Sequence, residues 1–144
     1  MTKNMRFGKR IEHYVVNLML KEGLEVFLPV TDDNGIDAVV KKPDGKYAEI
    51  QIKAKTKDAL FAAIKHEYRE NYWFVFYCEI IDKILILSSK EFLEEAVQNK
   101  DGENVGKWSI KFNGAKKGEV YILERFQKYI ASDFSRIKNE NSNQ

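Results

Sequence analysis

Hydrophobic and polar positions alternate in two rhythms along the chain, one helical and one extended. Residues 6–22 carry Ile11, Val15 and Leu18 on one stripe, widened by Val16, Met19 and Leu20, which predicts an amphipathic helix. Gly23 follows as a C-terminal stop. Leu24–Val30 reads as a strand, with Pro29 marking an edge or an end, and TDDNG at 31–35 is a turn cluster. Ile36–Lys41 and Lys46–Lys53 are two further strands joined by Pro43-Asp44-Gly45. Proline and aspartate suit the centre of a type I turn and glycine the left-handed residue after it, so the connection is a three-residue hairpin loop. That loop dictates a register in which Lys42 faces Lys46, Val39 faces Glu49 and Asp37 faces Gln51. Asp37, Glu49, Gln51 and Lys53 then share one face, while Ala38, Val40, Ile50 and Ile52 enter the core. A two-residue Asp44-Gly45 loop would instead place Asp37 among Ile50 and Ile52, and the apolar alternation rejects it.

Beyond the hairpin, Asp58–Glu70 is expected to be a helix capped by Asp58, with Leu60, Phe61 and Ile64 inward. Tyr72–Glu79 is apolar on both faces and so is a central strand. Lys83–Leu87 is another strand, and Ser88 or Ser89 caps a helix over Lys90–Asn99. Residues 100–106 are polar loop, Trp108–Phe112 a short strand and Asn113–Gly118 a mobile basic turn. Val120, Leu123, Phe126 or Gln127, Ile130, Phe134 and Ile137 hold helical spacing, which predicts a final helix near 119–138 before a polar, frayed tail at 139–144. The order of elements is that of a mixed α/β or α+β domain, a sheet flanked by helices, occupying residues 1–138.

Composition narrows the classes. The chain has 144 residues, 44% hydrophobic and 32% charged, the balance of one soluble globular domain. A formal charge of +2 provides no strong overall field, so any nucleic-acid footprint is a local patch. Cys78, the one cysteine, sits in an apolar run and excludes an internal disulfide. No signal-like segment opens the sequence and no apolar run approaches the ~18 residues of a membrane span, so the expected location is cytoplasmic, away from membranes.

The shared face of the hairpin is where chemistry concentrates. Magnesium takes hard oxygen ligands and retains several waters, and a carboxylate with a neighbouring amide or backbone carbonyl suits it. A nearby ammonium stabilises an anionic phosphoryl transition state. Asp37, Gln51 and Lys53 are of these types. Glu49 is a further carboxylate within possible reach, and Glu12 lies on the edge of the core-facing side of the first helix, where a first-turn carboxylate favoured by the helix dipole is the alternative. The Asp32-Asp33 pair reads as turn chemistry.

The helix Glu12, then Gly35-Ile36-Asp37 with two hydrophobics, a turn, and hydrophobic-Gln51-hydrophobic-Lys53 resemble the PD-(D/E)XK nuclease superfamily. The resemblance spans roughly residues 6–90 and is greatest to the branch of Holliday-junction resolvases and modification-dependent restriction enzymes, where glutamine replaces the glutamate of the last motif. It implies a restriction endonuclease-like core and a Mg²⁺- or Mn²⁺-dependent DNA endonuclease. Glu12, Asp37, Gln51 and Lys53 form the implied catalytic set. Asp37, Gln51 and the carbonyl of Ile52 are the implied metal ligands, with Glu49 as a possible addition. Ile36 stands where the family's proline does, and Gln51 removes one negative charge, which weakens metal binding.

Lys55 and Lys57 either meet a phosphate backbone or solvate a strand end. Lys116, Lys117, Arg125 and Lys128 are expected to be a solvated face, His13 and His66 structural or surface groups, and Trp73, Phe74 and Phe76 core. A chain of this size has no separate recognition domain, so DNA specificity implies a homodimer, a partner or a particular DNA shape. The rival readings are a catalytically inactive nuclease-fold binding module, and an unrelated α/β domain whose Glu49 and Lys53 line an exposed strand face.

Overall fold

A computed structural model of the chain describes residues 2–31 and 35–139. Helix α1 (Lys3–Lys21) begins one turn earlier than the apolar stripe, because Thr2 accepts a hydrogen bond from the Met5 amide at 3.2 Å and caps it. Gly23, at φ +86°, closes it as the sequence indicates, with the Leu24 amide bonded to the Met19 carbonyl at 3.1 Å. β1 (Glu25–Phe27), β2 (Ala38–Lys41) and β3 (Tyr47–Lys55) follow as an antiparallel meander. The register is the one the Pro43-Asp44-Gly45 loop dictates. Val39 opposes Glu49, Ala38 opposes Ile50, and the Lys42 amide bonds the Lys46 carbonyl at 2.8 Å.

The segment expected as a helix over Asp58–Glu70 is a strand, β4 (Leu60–Ile64), followed by extended chain to Arg69. A register shift between Phe61 and Ile64, with Ala63 at φ +58°, adds one residue to the strand. Phe61 and Ile64 therefore both point inward although they are three apart, and the bulge imitates helical spacing. β5 (Tyr72–Cys78) is buried along its whole length, as a central strand should be. A 3-10 turn (Glu79–Ile81) leads to β6 (Lys83–Ser88). Ser88 and Glu91 form a reciprocal capping box for α2 (Ser89–Glu95), which ends four residues short of expectation.

β8 (Trp108–Lys111) pairs with β7 (Val97–Gln98) on one side and with β4 on the other. The expected basic turn at 113–118 is one arm and the bend of a hairpin, β9 (Asn113–Lys116) with β10 (Glu119–Ile122). Lys117 and Gly118 both take positive φ, the requirement of a two-residue type I′ turn. The final helix near 119–138 is likewise absent. In its place are β10, a 3-10 helix (Glu124–Tyr129), β11 (Ile130–Ala131) and α3 (Ser135–Asn139). The period of three in the 3-10 segment carries Phe126 and Tyr129 inward and accounts for the helix-like spacing. The tail beyond Asn139 and the Asp32-Asp33 pair lie outside the described residues.

Among the described residues a six-stranded mixed sheet runs in the order β1-β2-β3-β5-β6-β11, with β3 and β5 parallel. Helices lie on both of its faces, so the mixed α+β class expected from the order of elements holds. One face meets Ile11, Val15 and Met19 of α1, together with Phe134 and Ile137. The other meets the β4-β8-β7 sheet and α2 through Phe61, Phe74, Phe76, Phe92 and Phe112. No described helix is long and apolar enough to cross a membrane. Trp73, Phe74 and Phe76 are buried core groups, as expected. Phe74 is fully buried, its ring 4.3 Å from that of Phe92 and 5.5 Å from that of Phe76. Phe74→Ala is expected to cost about 3–5 kcal/mol of stability, read from urea denaturation.

Candidate active site

The β2–β3 hairpin divides its residues cleanly. Ala48, Ile50 and Ile52 are buried against α1, while Glu49, Gln51 and Lys53 alternate on the opposite face. At Asp37 the ladder changes character. The Asp37 amide still bonds the Ile50 carbonyl at 2.8 Å, but the next rung is made by a side chain: Asp37 Oδ2 accepts the Ile52 amide at 2.7 Å. Here β2 parts from β3, and the carboxylate takes the place of a backbone carbonyl. Because backbone groups alternate sides along a strand, the Ile52 carbonyl faces the same gap as its amide. Asp37 thus meets the Ile52 backbone where β2 ends, with Gln51 and Lys53 the neighbours of Ile52 on either side along β3.

Glu12 comes to this point from the other layer. It lines a pocket together with Lys9, His13, Val16, Leu28 and Asp37, and its carboxylate accepts from Lys9 Nζ at 3.3 Å. Gln51 and Lys53 line a different and larger cleft, open to solvent, with Gly35, Tyr72, Lys107 and the extended segment Lys65–Arg69. The structure therefore sets Glu12 beside Asp37 in one pocket and Gln51 beside Lys53 in another cleft, with the Ile52 backbone bonded to Asp37 between them.

Two groups that the sequence did not single out, Tyr72 and Arg69, complete the site together with His66. The Tyr72 hydroxyl lies 2.5 Å from the Gly35 carbonyl oxygen and 2.8 Å from Gln51 Oε1, tying the approach to Asp37 onto β3. Burial pushes this hydroxyl well above its usual range. Nearby Asp37 and Glu49 add to the shift and Arg69 opposes it, so Tyr72 stays protonated. Arg69 Nη2 holds both carboxylate oxygens of Glu49, at 2.8 and 3.0 Å, and its guanidinium stands over the Tyr72 ring at 5.0 Å. This pairing works against Glu49 as an additional metal ligand. His66 stacks on Tyr72 at 5.0 Å, and its Nε2 lies 2.7 Å from Ser89 Oγ. Burial, aided by Arg69, pulls His66 down to about 4, so it is neutral at pH 7 and structural, as expected. Nothing in the local sequence marks Tyr72 or Arg69, or ties His66 to them. Tyr72 reads as one more apolar residue of a central strand, and His66 and Arg69 fall in the segment read as a helix.

Gly35 has a definite steric reason. At φ +67°, a Cβ there would lie 3.1 Å from Tyr72 Oη and 3.2 Å from Gln51 Nε2. Gly35→Ala is expected to cost about 1–2 kcal/mol for the left-handed backbone alone, and to push the Gln51 amide off its position. Urea denaturation reads the first effect and the Gln51 side-chain amide resonances the second.

Lys55 sits 3.8 Å from Asp58, and Lys57 is exposed at the strand end. His13 lines the pocket of Glu12. Among the described residues no three His, Cys, Asp or Glu side chains gather as a metal cluster. The donors around Asp37 are instead a carboxylate, an amide and a backbone carbonyl. All are hard oxygens, a set that fits Mg²⁺ or Mn²⁺ and not a thiophilic metal.

No protein-family model matches the sequence, and a search of curated proteins finds no match. Among solved structures, a bacterial homing endonuclease superposes with a TM-score of 0.63 at 17% identity, over 90% of this chain and 89% of that one. At this identity the likeness concerns architecture: the chain has the fold of a solved endonuclease along almost its whole length.

Proposed function

We propose that the protein is a Mg²⁺- or Mn²⁺-dependent endonuclease that hydrolyses DNA phosphodiester bonds, on a PD-(D/E)XK-type site. The observation that carries this reading is the meeting of Asp37 with the Ile52 backbone where β2 leaves β3, flanked on β3 by Gln51 and Lys53. Asp37, the Ile52 carbonyl and Gln51 would hold the cation. When bound, such an ion polarises a phosphoryl oxygen and lowers the pKa of water. Lys53 supplies an ammonium to the charge that develops on phosphorus. Glu12, on the far side of Asp37, orients water. The cleft of Gln51 and Lys53 also carries Lys65, Arg69 and Lys107, a local basic lining suited to a phosphate backbone despite the near-neutral total charge. The fold shared with a homing endonuclease agrees with DNA as the substrate. Lys55 and Lys57, at and beyond the end of β3, would add contacts to a phosphate backbone, and a second copy or a partner would complete recognition.

The test is incubation of the wild-type protein with Mg²⁺ or Mn²⁺ and linear, branched, modified and single-stranded DNA. Cleavage of at least one substrate is expected; inertness on all of them sinks the reading. A second reading, a nuclease fold kept as a non-catalytic binding module, draws on Arg69 holding Glu49 and Tyr72 engaging Gln51. Calorimetry separates the two: Mn²⁺ binding that vanishes in Asp37→Ala speaks for the enzyme.

A further inference from the structure

Tyr72 presents an imbalance in donors. Its hydroxyl has one proton, yet two acceptors face it, the Gly35 carbonyl at 2.5 Å and Gln51 Oε1 at 2.8 Å. One proton serves one of them well. The two ends of a carboxamide have nearly the same shape, so turning the Gln51 amide over satisfies every group. Tyr72 then donates to Gly35, and Gln51 Nε2 donates to the Tyr72 oxygen. Oε1 is turned off the hydroxyl and becomes available to a hard cation.

We propose that Tyr72 is a positioning residue that sets the orientation of the Gln51 amide, so that its oxygen and not its nitrogen faces the cation beside Asp37. The proposal rests on the nuclease reading above. It also gives a chemical reason for glutamine at this position. An amide has a donor end to spend on Tyr72 and an acceptor end for the metal, whereas a carboxylate is acceptor only. Glutamate at 51 would compete with Gly35 for the tyrosine proton, loosening the tie that holds the approach to Asp37 onto β3. The surroundings fix Tyr72 for this task. The residue is buried, stacked on His66 and covered by the Arg69 guanidinium, which Glu49 in turn anchors.

Tyr72→Phe tests the proposal, because it keeps the ring and both stacking contacts and removes the hydroxyl alone. Titration of the metal-free protein with Mn²⁺ by calorimetry is expected to show binding about tenfold weaker in Tyr72→Phe than in wild type. The Gln51 side-chain amide resonances of the metal-free protein should also shift and broaden as the amide loses its preferred orientation. Cleavage should be restored by raising Mn²⁺, leaving the saturated rate within a few-fold of wild type. Gln51→Glu in the Tyr72→Phe background should bind Mn²⁺ more tightly than Gln51→Glu alone, since the contest for the proton is gone. Equal Mn²⁺ affinity and unchanged Gln51 resonances in Tyr72→Phe and wild type overturn the proposal and leave the nuclease reading standing. Wild-type protein that binds no Mn²⁺ overturns both.

Discussion

Asp37→Asn is expected to abolish cleavage while leaving the fold intact. Asparagine keeps a side-chain oxygen that can accept the Ile52 amide now bonded at 2.7 Å, so the rung between β2 and β3 survives. What it loses is the negative charge on the proposed metal site. Losing a metal's contribution of several kcal/mol to the transition state means a rate reduction on the order of 10³ or more. Asp37→Ala should be equally inactive but should also unfold at lower urea, by about 1–3 kcal/mol, because the Ile52 amide loses its partner. Comparing the two variants separates the chemical role of the carboxylate from its structural one. An asparagine variant that retains full activity would remove Asp37 from the site.

Lys53→Met should reduce the rate at saturating metal by about 10²–10³ while leaving Mn²⁺ affinity within a few-fold. Methionine preserves most of the apolar stem, so β3 is not disturbed, and Lys53 is half-buried on the face of that strand turned away from α1, outside the apolar core. The loss is expected in turnover more than in DNA binding, since Lys65, Arg69 and Lys107 remain in the cleft. Calorimetry and single-turnover cleavage measure the two terms. A variant that cleaves normally but binds DNA poorly would reassign Lys53 to backbone contact.

The hairpin was readable from sequence because its turn chemistry and apolar alternation agree on one register. Pro43-Asp44-Gly45 sets the pairing, and Ile50 and Ile52 confirm which face is buried. Two segments misled for a common reason: apolar residues spaced three or four apart also arise in extended chain when a bulge or a 3-10 turn intervenes. Phe61 and Ile64 straddle a bulge at Ala63, and Phe126 and Tyr129 sit on a 3-10 helix. The Lys117-Gly118 bend did carry a local signal, a glycine at a hairpin tip, but few β-branched residues flank it. The groups around the site were less legible still. Tyr72, Arg69 and His66 act through contacts to residues some 20 or more positions distant, and periodicity does not record such contacts.

The C-terminal stitch has a consequence for the order of events at synthesis. The Phe134 amide bonds the Glu22 carboxylate at 3.1 and 3.2 Å across 112 residues, and Phe134 and Ile137 complete the cluster that receives Ile11, Val15 and Met19. The proposed catalytic groups, Glu12 to Lys53, therefore emerge from the ribosome well before Phe134 and Ile137, which complete the seat that β3 begins for α1. Closure of such distant partners comes late in folding. A nascent chain would hold the proposed catalytic side chains before their full arrangement, so the activity proposed above would arise only once translation had passed Ile137.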